Sequence, residues 1–292
     1  MYVFFQHFSG IRAWVWQSDF EGLLRIRFYS HHSKCSLCIK HRLLIKKIGH
    51  CPPARRAQHA MLQKHLDRQH RDRQVYYAAR ARSRLGATTL GEIEITAILD
   101  SMGNQMYSWP RSPCMSSKEF GSFHRPPLTA TGLLIHGHLA MMALSPNLVT
   151  SGSSRTAEVL CAGLTKLADK LDFRNVWINL QADNCSKEVK NVGVLRVLAL
   201  WTALHKVRGC EVSFLSSGHS HEDIDGLFNL IRAHIETYRE LLTPLDFKNC
   251  IQAFLDKPAT RPYEPLRCVE LLTRYKDWIL VECWMDLDGW FW

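Results

Sequence analysis

LTATGLLIHGHLAMMALSP, residues 128–146, decides the fold: two short apolar runs flank Gly137, and such a pair reads as a β-hairpin. Upstream, EIEITAILD (92–100) alternates as a strand, with Ile93, Ile95, Ala97 and Leu99 on one face and Glu94, Thr96, Ile98 and Asp100 on the other. Residues 101–127, bearing Pro, Ser and Gly, read as a long loop between the two. Downstream, Val159, Leu160, Leu164, Leu167 and Leu171 recur at helical spacing. VWINLQADN (176–184) is a further strand, KEVKNVGVLRVLALWTALHK (187–206) a largely buried helix, and CEVSFLSSG (210–218) a fifth strand before another helix. Strand, hairpin, helix, strand, helix, strand, helix specifies an α/β fold: a mixed sheet with helices packed on its faces.

The 292 residues, 46% hydrophobic, suffice for one substantial core and a smaller appendage, and they exclude a disordered chain. No run of about 18 uncharged apolar residues occurs, so no membrane partner is expected. The opening MYVFFQHFSGIRAWVW has neither a basic leader nor a small-residue cleavage site, and the expected setting is nuclear or otherwise intracellular, not secreted. Ten cysteines there are thiols or metal ligands rather than a disulfide frame. Cys114, Cys161, Cys210 and Cys250 stand singly in apolar surroundings, as small buried hydrophobes do.

Charge is concentrated in one place. Between His31 and Leu85 there are 14 Lys+Arg and 2 Asp+Glu, against a net +10 for the whole chain, so the rest is near neutral. Much of this excess lies on ARRAQHAMLQKHLDRQHRDRQVYYAARARSRL (54–85), one long basic helix ending near Gly86. Such a field suits a polyanion, with Arg68, Arg71, Arg73, Arg80, Arg82 and Arg84 as phosphate contacts; a solvated helix face is the plainer alternative. The organisation expected is a basic, mostly helical region over 1–88, an α/β domain over 89–256 and a tail over 257–292, cut short relative to a complete gene copy.

GHSHEDIDGLF (218–228) concentrates carboxylates at a helix mouth. Ser220 and Asp223 satisfy a capping box with Asp in place of Glu, and Glu222 and Asp223 lie where the helix dipole favours negative charge. Asp225 is different: it flanks the stripe Ile224, Leu227, Phe228, Ile231, Ile235 and Tyr238, and a carboxylate at a core edge needs a partner. Asp183 and Asp100 each end a strand, where ligands of open α/β sheets bind. Three such acids would suit two Mg²⁺ or Mn²⁺ ions about 4 Å apart on a phosphodiester. His219, His221, Asn184 and Lys187 are secondary candidates, as phosphate contacts or as ordinary capping residues. Separately, Cys35-x-x-Cys38-x-x-His41, completed by Cys51 or His59, carries the thiol and imidazole types of a structural Zn²⁺ site.

LQADNCSKEVKN followed by VSFLSSGHSHEDIDGLF resembles the paired signature of a transposon-derived domain-of-unknown-function family, the one numbered 7869. ILDSMGNQMYSWPR, HSKCSLCIKH and HLDRQHRDRQVYY are similar to its upstream parts. The resemblance implies an RNase H-like fold of the DDE/D transposase and integrase type, with Asp100, Asp183 and Asp225 as the acids and Glu222 beside the second metal. It implies nucleic acid, DNA foremost, as partner, phosphodiester hydrolysis or strand transfer as chemistry, and a dimer as one option. The alternative is a domesticated, catalytically inactive nucleic-acid-binding protein.

Overall fold

Helices α1 (Ser36–Lys47) and α2 (Pro52–Leu85) precede the sheet. Two prolines open α2 with φ already near the helical value, and its alanines, arginines and glutamines favour helix for 34 residues. Gly86, at φ +80, ends it. Strand β1 (Ile93–Ser101) then leads to the hairpin β2 (Leu128–Ile135) and β3 (Leu139–Pro146). Its turn carries Gly137 at φ +82, where a Cβ would also come 3.0 Å from Arg84 Cα. Next come α3 (Ser153–Thr165), β4 (Val176–Ala182), α4 (Val192–Ala203), β5 (Gly209–Phe214), α5 (Asp223–Glu236), α6 (Pro244–Leu255) and β6 (Leu266–Leu271). The computed structural model describes residues 35–48, 51–86, 92–102, 107–120, 122–146, 152–182, 192–214, 223–257 and 264–272, all within one unit of the chain, Cys35–Trp292.

These strands form one mixed sheet in the order β5-β4-β1-β2-β3-β6. The β1–β2 and β2–β3 pairs are antiparallel, while β1–β4, β4–β5 and β3–β6 are parallel. An antiparallel meander extended by crossover parallel strands, with helices on both faces, is the RNase H-like mixed sheet expected. On one face Leu99, Leu133, Met141 and Leu180 pack against Leu160 and Leu164 of α3 and Trp201 of α4. On the other, Ile98, Leu134 and Met142 meet Tyr76 of α2, Ile224, Phe228 and Ile231 of α5, and Phe247 and Ile251 of α6. Coverage on both sides explains why β2 is buried at every position.

Three elements depart from the sequence reading. The apolar stripe of α5 ends at Ile235, and Tyr238 lies beyond the helix and is exposed. Helix α6 is held by a capping box between Thr243 and Asp246, the same Asp-for-Glu variant read at Ser220. Ser220 itself, in residues 215–222, lies outside the described residues. Strand β6 joins β3 from the segment read as a tail, so the sheet continues past residue 256. Its sequence, LRCVEL, is a half-buried edge whose mixed polarity gives a weak strand signal.

Gly132 of β2 sets how closely α5 can approach. A Cβ there would come 2.6 Å from Phe228 Cε1 and 3.0 Å from Ile224 Cδ1. Gly132→Ala is therefore expected to lower stability by about 1–3 kcal/mol through overpacking, read from the urea midpoint at unchanged m-value. Gly152→Ala, which meets nothing within 4 Å, is expected to shift that midpoint less.

Candidate functional site

Asp100 lies at the carboxyl end of β1, half-buried, with its Oδ1 accepting the Ser101 N–H at 2.7 Å. It shares strand parity with Ile98, which belongs to the α5 and α6 core, so its side chain is on that face of the sheet. Its cross-strand partner is Gly132, the residue beneath Phe228 and Ile224. The first turn of α5, which contains Asp223 and Asp225, is thus seated over the strand next to Asp100. Ala182, the last described residue of β4, pairs with Leu99, so the carboxyl ends of β1 and β4 lie side by side. Asp183, Asn184 and Lys187, with His219, His221 and Glu222, lie outside the described residues. The described geometry therefore brings together the Asp100 strand end and the Asp225 helix mouth.

Asp223 has a different task. Its carboxylate pairs with Arg80 of α2 and lies 3.9 Å from Nε2 of His136 in the hairpin turn. His136 is fully buried, with the Tyr76 hydroxyl 2.8 Å from Nε2 and Glu264 Oε1 3.9 Å from Nδ1. Glu264 in turn faces Arg84 at 3.8 Å. Ser83 completes the joint: its hydroxyl donates to the His136 carbonyl at 2.6 Å and accepts the Thr96 N–H at 3.0 Å. The last turns of α2 are thus fastened to β1 and the hairpin turn by buried polar contacts, and to the start of α5 by the more exposed Arg80–Asp223 pair.

This fastening accounts for half of the arginines read as phosphate contacts. Arg80 pairs with Asp223, Arg84 with Glu264, and Arg82 grips Glu94 with two bonds of 2.6 and 2.7 Å while Asn179 donates to the same carboxylate at 2.5 Å. Arg68 and Arg71, further up α2, are exposed, and Arg73 is half-buried. Between α2 and the uncovered face of β4 and β5 runs a groove of about 200 Å³ lined by Asp72, Arg82, Asn179, Gln181, Glu211 and Ser213. Both signs of charge line it, and it lies on the sheet face that carries Asp100.

The sulfur and imidazole candidates are rearranged. Cys35, Cys38 and His65 place their ligand atoms within 4.8 Å of one another. Cys51 stands apart, exposed at the start of α2, and His41 is hydrogen-bonded to the Gln58 amide. Because Cys35 meets His65 while His41 meets Gln58, α1 and α2 run antiparallel, which puts a histidine 27 residues beyond Cys38 beside it. Spacing along the chain does not show that; only the fold-back of two helices does. Elsewhere Cys161 and Cys250 are buried as expected, Cys210 is half-buried, and Cys114 is exposed on a 3₁₀ turn.

A model of the family described as "Domain of unknown function (DUF7869)" matches residues 122–285, more than half of the chain. No curated protein matches it. Among the described residues no helix is long and apolar enough to cross a membrane.

Burial pushes the His136 pKa down to about 3, with Arg84 and Arg80 adding to the effect against Asp223. In the unfolded chain the imidazole takes up a proton near 6.5 that the folded protein refuses. Stability is therefore expected to fall as pH drops from about 6.5 toward 3, because the unfolded state binds more protons across that window. His136→Gln, which keeps a polar group toward Tyr76, is expected to flatten that part of the pH profile in urea titrations.

Proposed function

The chain belongs to this family, and from that premise and the meeting of the β1 end with the α5 mouth we propose a transposase-derived protein that acts on DNA through paired divalent cations. The single observation supporting this reading is the contact of Phe228 and Ile224 with Gly132, the cross-strand partner of Asp100. It seats a carboxylate-bearing helix start against a strand-end carboxylate, from two elements far apart in sequence. Asp225, at the edge of the apolar stripe of α5 and in the turn seated beside the Asp100 strand end, is the acid of that helix assigned to metal, while Asp223 pairs with Arg80. Asp183 is the third acid, on the motif resemblance.

The donors fit the proposed ions: carboxylate oxygens are what hard Mg²⁺ or Mn²⁺ takes. When bound, paired ions would supply charge neutralisation for attack on a phosphodiester by water or a DNA 3′-hydroxyl. Asp100 and Asp183 would hold one ion jointly, and Asp225, with Glu222, would complete the second site. Arg68 and Arg71, exposed on α2, would hold flanking backbone phosphates, and Glu222, His219, His221 and Asn184 would line the same mouth. A DNA substrate would place the protein in the nucleus or another intracellular compartment that holds DNA.

Labelled duplex incubated with the full chain and Mg²⁺ or Mn²⁺ tests the proposal. Cleavage or strand transfer is expected, with Asp100→Asn, Asp183→Asn and Asp225→Asn each lowering the rate by at least about 10²-fold, the scale lost when transition-state charge goes unstabilised. Cleavage that survives in these variants would contradict the site. Binding that weakens steeply with salt, with no cleavage by any form, would support the alternative of a domesticated, inactive DNA-binding protein. Arg68→Ala with Arg71→Ala is expected to reduce the salt slope by about 2 without changing sequence preference.

A further inference from the structure

The N-terminal helical hairpin contains a joint that hydrophobic packing does not explain. Of the 12 residues of α1, only Cys38 is buried, with Cys35 buried at the N-cap, while Leu37, Ile39, Leu43 and Leu44 are exposed. The charges that the two helices carry over this stretch are of one sign: exposed Lys40, Arg42, Lys46 and Lys47 on α1, and exposed Arg55, Arg56 and Lys64 on α2. Two basic helices with little shared apolar surface need another tie.

We propose that Cys35, Cys38 and His65, with His41 as fourth ligand, form a structural Zn²⁺ site that fastens α1 to α2. The separations suit a tetrahedral ion. Cys35 Sγ lies 3.4 Å from His65 Nε2, and bonds of about 2.3 Å to sulfur and 2.0 Å to nitrogen set that separation at roughly 3.6 Å. The three ligand atoms lie within 4.8 Å of one another, against roughly 3.8 Å for two zinc-bound thiolates. His41 follows Cys38 by three residues on the same helix face, and its ring centroid lies 6.4 Å from that of His65. Two zinc-bound imidazoles sit roughly 5 Å apart, so a small rotation of His41 completes the set.

Gln58 reinforces the assignment. Its amide nitrogen is hydrogen-bonded to Nδ1 of His41, which leaves Nε2 as the ring nitrogen available to a metal. With Nε2 on the metal, Nδ1 would carry the proton and, once Gln58 turns its amide oxygen into the place of the nitrogen that faces His41 here, donate to that oxygen, the outer contact a ligating histidine commonly makes. Two thiolates balance the charge of the ion, and the surrounding lysines and arginines stabilise those thiolates. A Cys35–Cys38 disulfide would close a loop within one helical turn and leave His65 and α2 untied. All four coordination positions are filled by protein, so the ion is structural and distinct from the acid site proposed above.

Titration of the reduced full chain with Co²⁺ tests this assignment, whether or not the chain cleaves DNA. The expected result is one equivalent that gives the intense visible bands of a tetrahedral ion and a sulfur-to-cobalt charge-transfer band, all displaced by Zn²⁺; Co²⁺ on the carboxylates of the acid site, bound by oxygen alone, would add neither signal. Cys35→Ser, Cys38→Ser and His65→Ala are each expected to weaken Zn²⁺ by more than about 100-fold, and Gln58→Ala by about tenfold, the range of an outer contact. Cys51→Ser is expected to bind as the parent does. Chelation is expected to raise amide exchange across residues 36–47 and leave β1 to β4 protected. Absence of the tetrahedral spectrum in the reduced parent would overturn the proposal, as would loss of binding in Cys51→Ser or full binding in His65→Ala.

Discussion

The absence of a side chain at Gly132 is the constraint on which the rest turns. Every other position of β2 carries a buried side chain, and one more atom at residue 132 would meet the Phe228 ring at 2.6 Å. Because the strand is bare there, the first turn of α5 rests against the sheet beside Asp100. A helix held one side chain further out would carry Asp225 away from the strand ends. Packing of Phe228 and Ile224 over the bare strand is what seats the start of α5 at this corner of the sheet.

Polar contacts then divide the acids by task. Asp223 is drawn to Arg80 and the His136 corner, which ties α2 to the hairpin and to α5 at once. The basic helix is therefore built into the sheet over its last turns, where Arg80, Arg82 and Arg84 answer internal carboxylates. Its middle keeps Arg68 and Arg71 exposed, and its N-terminal half carries the histidine of the cysteine cluster. One helix of 34 residues thus meets three different surroundings in turn.

The sheet was readable because its strands obey local rules: β1 and β4 alternate, and the hairpin turns on a glycine that φ requires. The buried stripe of α5 was readable from Ile224 to Ile235 for the same reason, since 3.6-residue periodicity is a local property. What escaped depends on contacts between distant segments. No periodicity reveals that Arg80 lies beside Asp223, or that His65 rather than Cys51 joins Cys35 and Cys38. Strand β6 escaped because a short edge strand takes its stability from β3, not from its own sequence. Asp100 and Asp225 were legible as acids at element ends, whereas the seating of α5 on Gly132, the cross-strand partner of Asp100, was not.

Crystals of the full chain soaked with Mn²⁺ test the central claim most directly, because the anomalous signal of the ion locates it independently of any activity. The account expects a peak within about 2.5 Å of carboxylate oxygens of both Asp100 and Asp225. A protein that takes up Mn²⁺ elsewhere, with these two carboxylates turned to separate sides of the sheet, would contradict it.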